Sequence, residues 1–98
     1  MTRYEQENMS ISTAPRAFTY ILGNSDAAGY RTYVGWTTDI GRRLKQHNSG
    51  RGARFTRGRQ WVLLYVEAHA NRGDAMSREW YLKKDRQFRK MLADSTRP

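Results

Sequence analysis

Residues 17–36 read AFTYILGNSDAAGYRTYVGW, two aromatic and β-branched runs around a centre of turn residues. The first run, Ala17–Leu22, carries the side chains that suit a pleated surface and stops at Gly23-Asn24, so it is expected to be a strand. The second, Tyr30–Trp36, alternates aromatic with polar residues before turning apolar, and is expected to be another. Residues 23–29 then make a long loop between antiparallel strands.

Outward from this hairpin the chain falls into place in order. Residues 1–15 are polar, lack periodicity and end at Pro15, which predicts a disordered leader ahead of a domain over 16–93. Beyond the hairpin, Thr37, Thr38 and Asp39 offer N-cap oxygens, and Ile40, Leu44 and His47 follow at helical spacing. Asn48-Ser49-Gly50 supplies the stop of a helix over 39–48. Residues 49–60 have no apolar period and form a loop. Trp61–Glu67 is the most continuously apolar segment, a strand that does not suit an edge exposed on both faces. From Arg72 to Leu92 the spacing of Met76, Trp80, Lys83/Lys84, Phe88, Met91 and Leu92 is helical, as one helix or as two meeting near residues 84–86. Residues 94–98 are expected to fray. The order β-β-α-β-α(-α) predicts an α/β domain of the α+β kind, a small three-stranded, mainly antiparallel sheet flanked by helices. Neither a Gly-x-Gly-x-x-Gly nor a Walker-type lysine motif is present.

Charge narrows the function. Lys+Arg is 18 against Asp+Glu 9, and residues 41–60 hold Arg42, Arg43, Lys45, Arg51, Arg54, Arg57 and Arg59 with no acid. Such a block suits phosphate contact and counterion release from a nucleic acid; a solvated basic surface is the bland alternative. Gly50, Gly52 and Gly58 interrupt it, against an amphipathic membrane helix. With no cysteine, disulfides, thiolate catalysis and cysteine zinc sites are excluded together. No apolar run approaches the roughly 20 residues that span a bilayer, and no signal-peptide pattern opens the chain, so a cytoplasmic protein is expected.

Tyr20 in FTYIL, Tyr33-Val34-Gly35 thirteen residues later, Arg43 and His47 ten and fourteen residues past Tyr33, and Glu79 in SREWYLKK stand in one order. This constellation resembles the GIY-YIG nuclease family over roughly residues 17–90. The string TTDIGRRLKQHNSGRGARFTRGR is similar to small stand-alone bacterial members, and to the nuclease domain of structure-specific endonucleases. Two departures stand out. The first triplet is Thr19-Tyr20-Ile21 instead of Gly-Ile-Tyr, and Met91 lies where some members carry a functional asparagine.

The resemblance implies a metal-dependent endonuclease acting on DNA phosphodiesters, with Tyr20, Tyr33, Arg43, His47 and Glu79 as catalytic residues. Arg43 and His47, at i and i+4, share a helix face. Arg43 would bind a phosphate oxygen, and His47 the attacking water or another phosphate oxygen. Either tyrosine could be the base, with Tyr20 preferred. Glu79 would hold one Mg²⁺ or Mn²⁺; a helix ion pair with Lys83 at i+4 is the bland alternative. Arg42, Lys45, Arg51, Arg54, Phe55, Arg57 and Arg59 would contact nucleic acid, with Phe55 stacking on a base. DNA, branched or single-stranded, is the expected partner, RNA stays open, and a protein partner is allowed for. The rival class is a non-catalytic DNA- or RNA-binding module on the same scaffold.

Overall fold

The computed structural model describes residues 14–96, apart from the Thr96 side chain; of the expected leader, residues 1–13 lie outside the described part. Three strands and three helices follow in the order β1 (Ala17–Asp26), β2 (Gly29–Thr37), α1 (Ile40–Asn48), β3 (Val62–His69), α2 (Arg72–Lys84) and α3 (Arg86–Thr96), with a 3-10 turn at Arg54–Thr56. The sheet order is β2-β1-β3, and both pairings of the central strand β1 are antiparallel. This is the expected α+β class and element order.

The hairpin is tighter than expected. β1 runs on through Gly23, Asn24 and Ser25 to Asp26, which pairs with Gly29 across a turn of Ala27 and Ala28. Gly23 does not end the strand; it makes room within it. A Cβ there would stand 2.5 Å from the Tyr30 hydroxyl and 2.8 Å from Leu64 Cδ1. Asn24 Nδ2 donates to the Gln60 carbonyl at 2.9 Å, and Arg31 Nη1 donates to Asn24 Oδ1 and Asp26 Oδ2, so the polar end of the hairpin is paired instead of solvated.

Because side chains alternate along a strand, β1 separates two cores. Tyr20 and Leu22 face one side with Trp61, against which Tyr33, Ile40 and Leu44 pack. Ile21 faces the other with Val34 and Leu82, backed by Leu64, Tyr65, Phe88 and Leu92. Thus α1 covers one face of the sheet and α2 with α3 the other. The most apolar strand, β3, lies at an edge, with Val62, Leu63 and Val66 exposed. Hydropathy measures how apolar a strand is, whereas its place in the sheet follows from pairing, and among the described strands β1 is the one that pairs on both sides.

Helix ends follow capping chemistry. Asp39 caps α1 by accepting from Arg42 N, and Asn71 caps α2 by accepting from Asp74 N. The 72–92 pattern resolves into two helices because Asp85 closes α2 and caps α3, its Oδ1 accepting from Phe88 N at 3.0 Å. The apolar spacing of Met76, Trp80 and Met91 points outward; the buried positions are Ala75, Leu82 and Ala93. Of the stretch 94–98 expected to fray, residues 94–96 continue α3 to Thr96, with Lys90 paired to Asp94 and Ser95 Oγ donating to the Leu92 carbonyl, and residues 97–98 lie outside the described part. None of the described helices is long and apolar enough to cross a membrane.

Candidate active site

The geometry of the α1 face begins with a glycine. Gly35 is the β2 partner of Tyr20, and a Cβ at Gly35 would stand 2.5 Å from the Tyr20 hydroxyl. The tyrosine ring therefore lies across the neighbouring strand where no side chain stands, a close approach that glycine permits. There its hydroxyl meets His47 Nε2 at 2.8 Å. His47 is 0 % exposed, and its other ring nitrogen, Nδ1, lies 2.8 Å from Thr56 Oγ1. The loop reaches over the imidazole because residue 52 is glycine; any Cβ there would collide with Nδ1. Gly50 and Gly58, with φ of 83° and 78°, take the left-handed turns that bring the loop round.

Asn48 fastens the end of α1 to the start of β3, donating to the Trp61 carbonyl and accepting from Trp61 N. The Trp61 indole in turn donates to the Thr56 carbonyl. Tyr33 joins the same cluster, its ring centroid 5.0 Å from His47 and 6.2 Å from a near-parallel Phe55. Its hydroxyl makes no hydrogen bond among the described residues.

Burial pushes the Tyr20 phenol up to about 12, the Arg43 guanidinium beside it pulls the other way, and the charges of Tyr33 and Glu79 add to the rise. Burial, reinforced by the charge of Arg43, pushes the His47 imidazole down to about 4. Both rings are thus neutral at neutral pH. Their environment is apolar enough to disfavour either ion, yet it holds a guanidinium and a carboxylate within electrostatic reach.

The five expected residues do not stand alike. Tyr20, Tyr33, Arg43 and His47 converge at α1 and the hairpin. Glu79 comes from α2 in the other layer, and its charge reaches the Tyr20 phenol. Its carboxylate pairs with Lys83 at 3.6 Å, the helix ion pair that residue chemistry allowed. His47 is enclosed, with Tyr20 at one ring nitrogen and Thr56 at the other, and so stands behind the Tyr20 hydroxyl. Arg42, Lys45, Arg51, Arg54 and Arg57 are exposed along α1 and its loop. Phe55 is 47 % exposed, with Arg59 over its ring and donating to its carbonyl.

Two residues were missed. Arg72 joins Trp36, Thr37, Thr38, Arg42, Arg43 and Gln46 around an open groove of about 270 Å³. As the first residue of a distant helix, it gave no local signal. Thr56 is the other, a hydroxyl inside an arginine block whose burial depends on the loop closing. Among the described residues no three histidine, cysteine or acidic side chains gather as a metal cage.

A family model of the GIY-YIG catalytic domain matches residues 16–91. The chain belongs to the GIY-YIG family. It is 46 % identical over 68 residues to a UPF0213 protein of Clostridium perfringens (strain 13 / Type A), covering 68 % of this chain and 70 % of that one. A UPF0213 protein of Streptococcus pneumoniae serotype 4 is 42 % identical over 76 residues, covering 76 % of this chain and 74 % of its own. The chain is also similar to the UPF0213 protein of Bacillus halodurans, known from a solution NMR structure, at 33 % identity over 81 % of this chain and 85 % of that one, with a TM-score of 0.41. It is thus a small member of the UPF0213 group with a GIY-YIG catalytic domain.

Proposed function

We propose that this GIY-YIG domain is a divalent-metal-dependent endonuclease that hydrolyses DNA phosphodiester bonds at the Tyr20–Arg43–Glu79 centre. The observation that carries this reading is that a buried phenol, Tyr20, is backed by an imidazole at 2.8 Å and shares its cleft with the Arg43 guanidinium of α1. Phosphodiester hydrolysis needs a base for water, a cation for the charge growing on phosphorus oxygens, and an anchor for a metal ion.

Tyr20 takes the water's proton, with His47 behind it. Arg43 lines the groove that carries Arg42 and Arg72 and holds the non-bridging oxygens of the scissile phosphate. Tyr33 offers its uncommitted hydroxyl to the water or a phosphate oxygen. Glu79 fits a single hydrated Mg²⁺ or Mn²⁺, because among the described residues its carboxylate pairs only with the exchangeable Lys83, and a lone carboxylate is a common anchor for such ions. When bound, the ion supplies Lewis-acid neutralisation of the phosphate. The exposed arginines of 51–59 follow the backbone, and Phe55 presents its ring to a base.

The test is incubation with branched, single-stranded and duplex DNA in Mg²⁺ or Mn²⁺. Cleavage is expected from the wild type and lost in Glu79→Ala and Arg43→Ala. Salt-dependent binding without wild-type cleavage would leave a binding module on the same scaffold. Cleavage by both variants would put the chemistry elsewhere.

A further inference from the structure

His47 can accept a proton from Tyr20 only if its Nε2 carries none, and nothing in the Tyr20–His47 contact itself decides that. The decision falls nine residues later. Thr56 is fully buried and has one hydroxyl hydrogen. Its Oγ1 donates that hydrogen to the Ala53 carbonyl at 2.8 Å, across the 3-10 turn that also ties Thr56 N to Ala53 O. A carbonyl accepts and never donates, so the direction of this bond is fixed. The lone pairs of Oγ1 remain, and His47 Nδ1 stands 2.8 Å away. Nδ1 must therefore carry the hydrogen, and Nε2 must be the bare nitrogen facing the phenol.

We propose that Thr56 is a positioning residue that fixes His47 as the Nδ1–H tautomer, so that the Tyr20–His47 pair can take a proton from the attacking water. The inference rests on the nuclease reading for its consequence but not for its geometry. In the step, a water O–H breaks as its oxygen bonds to phosphorus. That proton joins the Tyr20 oxygen while the phenol's own proton passes to Nε2, and the bond from phosphorus to the leaving oxygen breaks with its electron pair going to that oxygen. Tyr20 ends as it began, a neutral phenol, and His47 ends doubly protonated. A free phenolate is never formed, which suits a buried phenol. The imidazolium is tolerated once the phosphate has neutralised the Arg43 charge that opposes it.

The molecule carries an internal control. The other histidine, His69, meets Thr19 through Nε2 at 3.1 Å, and Thr19 Oγ1 donates to the Ala75 carbonyl at 2.8 Å. The same reasoning gives His69 the opposite tautomer, Nε2–H.

Long-range ¹H–¹⁵N NMR of the full chain, without DNA or metal, reads both tautomers. It is recorded near pH 8.5, about two units above the ordinary imidazole value; a His69→Asn variant assigns the two rings. Nδ1–H at His47 with Nε2–H at His69 is expected. Nε2–H at His47, or an even mixture, overturns the proposal, and the wild-type spectrum suffices to show it. In Thr56→Val the His47 signature should shift from Nδ1–H, and in Thr56→Ser it should return. Cleavage should follow, falling about 10- to 100-fold in Thr56→Val with KM little changed and recovering in Thr56→Ser. A Thr56→Val protein that is folded and cleaves at the wild-type rate also refutes the assignment. A chain with the expected tautomers but no nuclease activity refutes the functional reading alone.

Discussion

The two faces of one strand show how differently a sheet can use its neighbours. On the α2–α3 side of β1, Ile21 packs among Val34, Leu82, Phe88 and Leu92, and apolar burial dominates the layer, with Thr19 donating to the Ala75 carbonyl beside it. On the α1 side the adjacent residue, Tyr20, spends its burial on a hydroxyl–imidazole–hydroxyl chain closed by a glycine-rich loop. One face is built for stability and could be repacked with other apolar residues. The other places polar groups where they are costly to hold, which is where chemistry is worth siting.

The sharpest way to break this contrast is to cross the two readouts. Leu82→Ala removes a fully buried side chain from the apolar face and should lower stability by about 2–5 kcal/mol in urea unfolding. Activity per folded molecule should stay at the wild-type level. Arg43→Ala should do the reverse, leaving unfolding nearly unchanged while cleavage drops about 10²–10³-fold, the range for losing one transition-state donor. If Arg43→Ala unfolds the protein and Leu82→Ala abolishes cleavage, the division of labour is wrong.

Acid sharpens the same contrast. His47 is held neutral, its pKa pushed down to about 4 by burial and by Arg43, whereas in the unfolded chain it returns to about 6.5. Between those values the unfolded chain binds the extra proton, so stability present above pH 6.5 is lost as pH falls through 4. The loss attributable to this ring is about 2–3 kcal/mol. Urea midpoints at pH 7 and pH 4 measure it, with His47→Gln expected to show a smaller drop than wild type. An equal drop in both would mean that the ring is not held neutral.

Gly35→Ala asks how closely the faces are matched. The new methyl would meet the Tyr20 hydroxyl at 2.5 Å and its Cζ at 2.7 Å, so the ring must leave its place beside His47. Overpacking of this kind costs about 1–3 kcal/mol, and cleavage should fall with it. Wild-type activity in a folded Gly35→Ala protein would show that Tyr20 need not occupy this position.

What the residues alone revealed divides along the same line. The hairpin and the helix over Ile40–Asn48 were legible, because aromatic runs, N-cap oxygens and helical spacing are local signals, whereas Tyr20, Tyr33 and Arg43 stood out as site candidates only through the family resemblance. The extension of β1 through Gly23 to Asp26 was not, since it depends on Tyr30 and Leu64 covering the glycine and on Gln60 receiving Asn24. Nor was the edge position of β3, or the outward turn of Met76 and Trp80, because hydropathy does not record which partner arrives. Thr56 was hidden for a related reason. Its role exists only once Gly52 lets the loop close on His47.

The smallest expected effect concerns arginines, which composition counts as equals and the two faces do not. Arg89, on the α3 side, donates to the Leu82 and Lys83 carbonyls and to Thr32 Oγ1, so its guanidinium is tied into the fold. Arg57, in the loop that covers His47, is exposed, and its side chain makes no hydrogen bond or ion pair among the described residues. Each lysine or arginine on a phosphate steepens the fall of log K with log salt by about 0.9 on duplex and about 0.7 on single strands. Arg57→Ala should therefore flatten that slope by roughly this amount and leave unfolding unchanged. Arg89→Ala should leave the slope as it was and lower stability by about 1–3 kcal/mol, because the part-buried Leu82 carbonyl and Thr32 hydroxyl lose a charged donor. Titrating labelled DNA at several salt concentrations separates the two. Equal slopes for Arg57→Ala and wild type would remove the loop from the nucleic-acid surface, and a flattened slope for Arg89→Ala would add the opposite face to it.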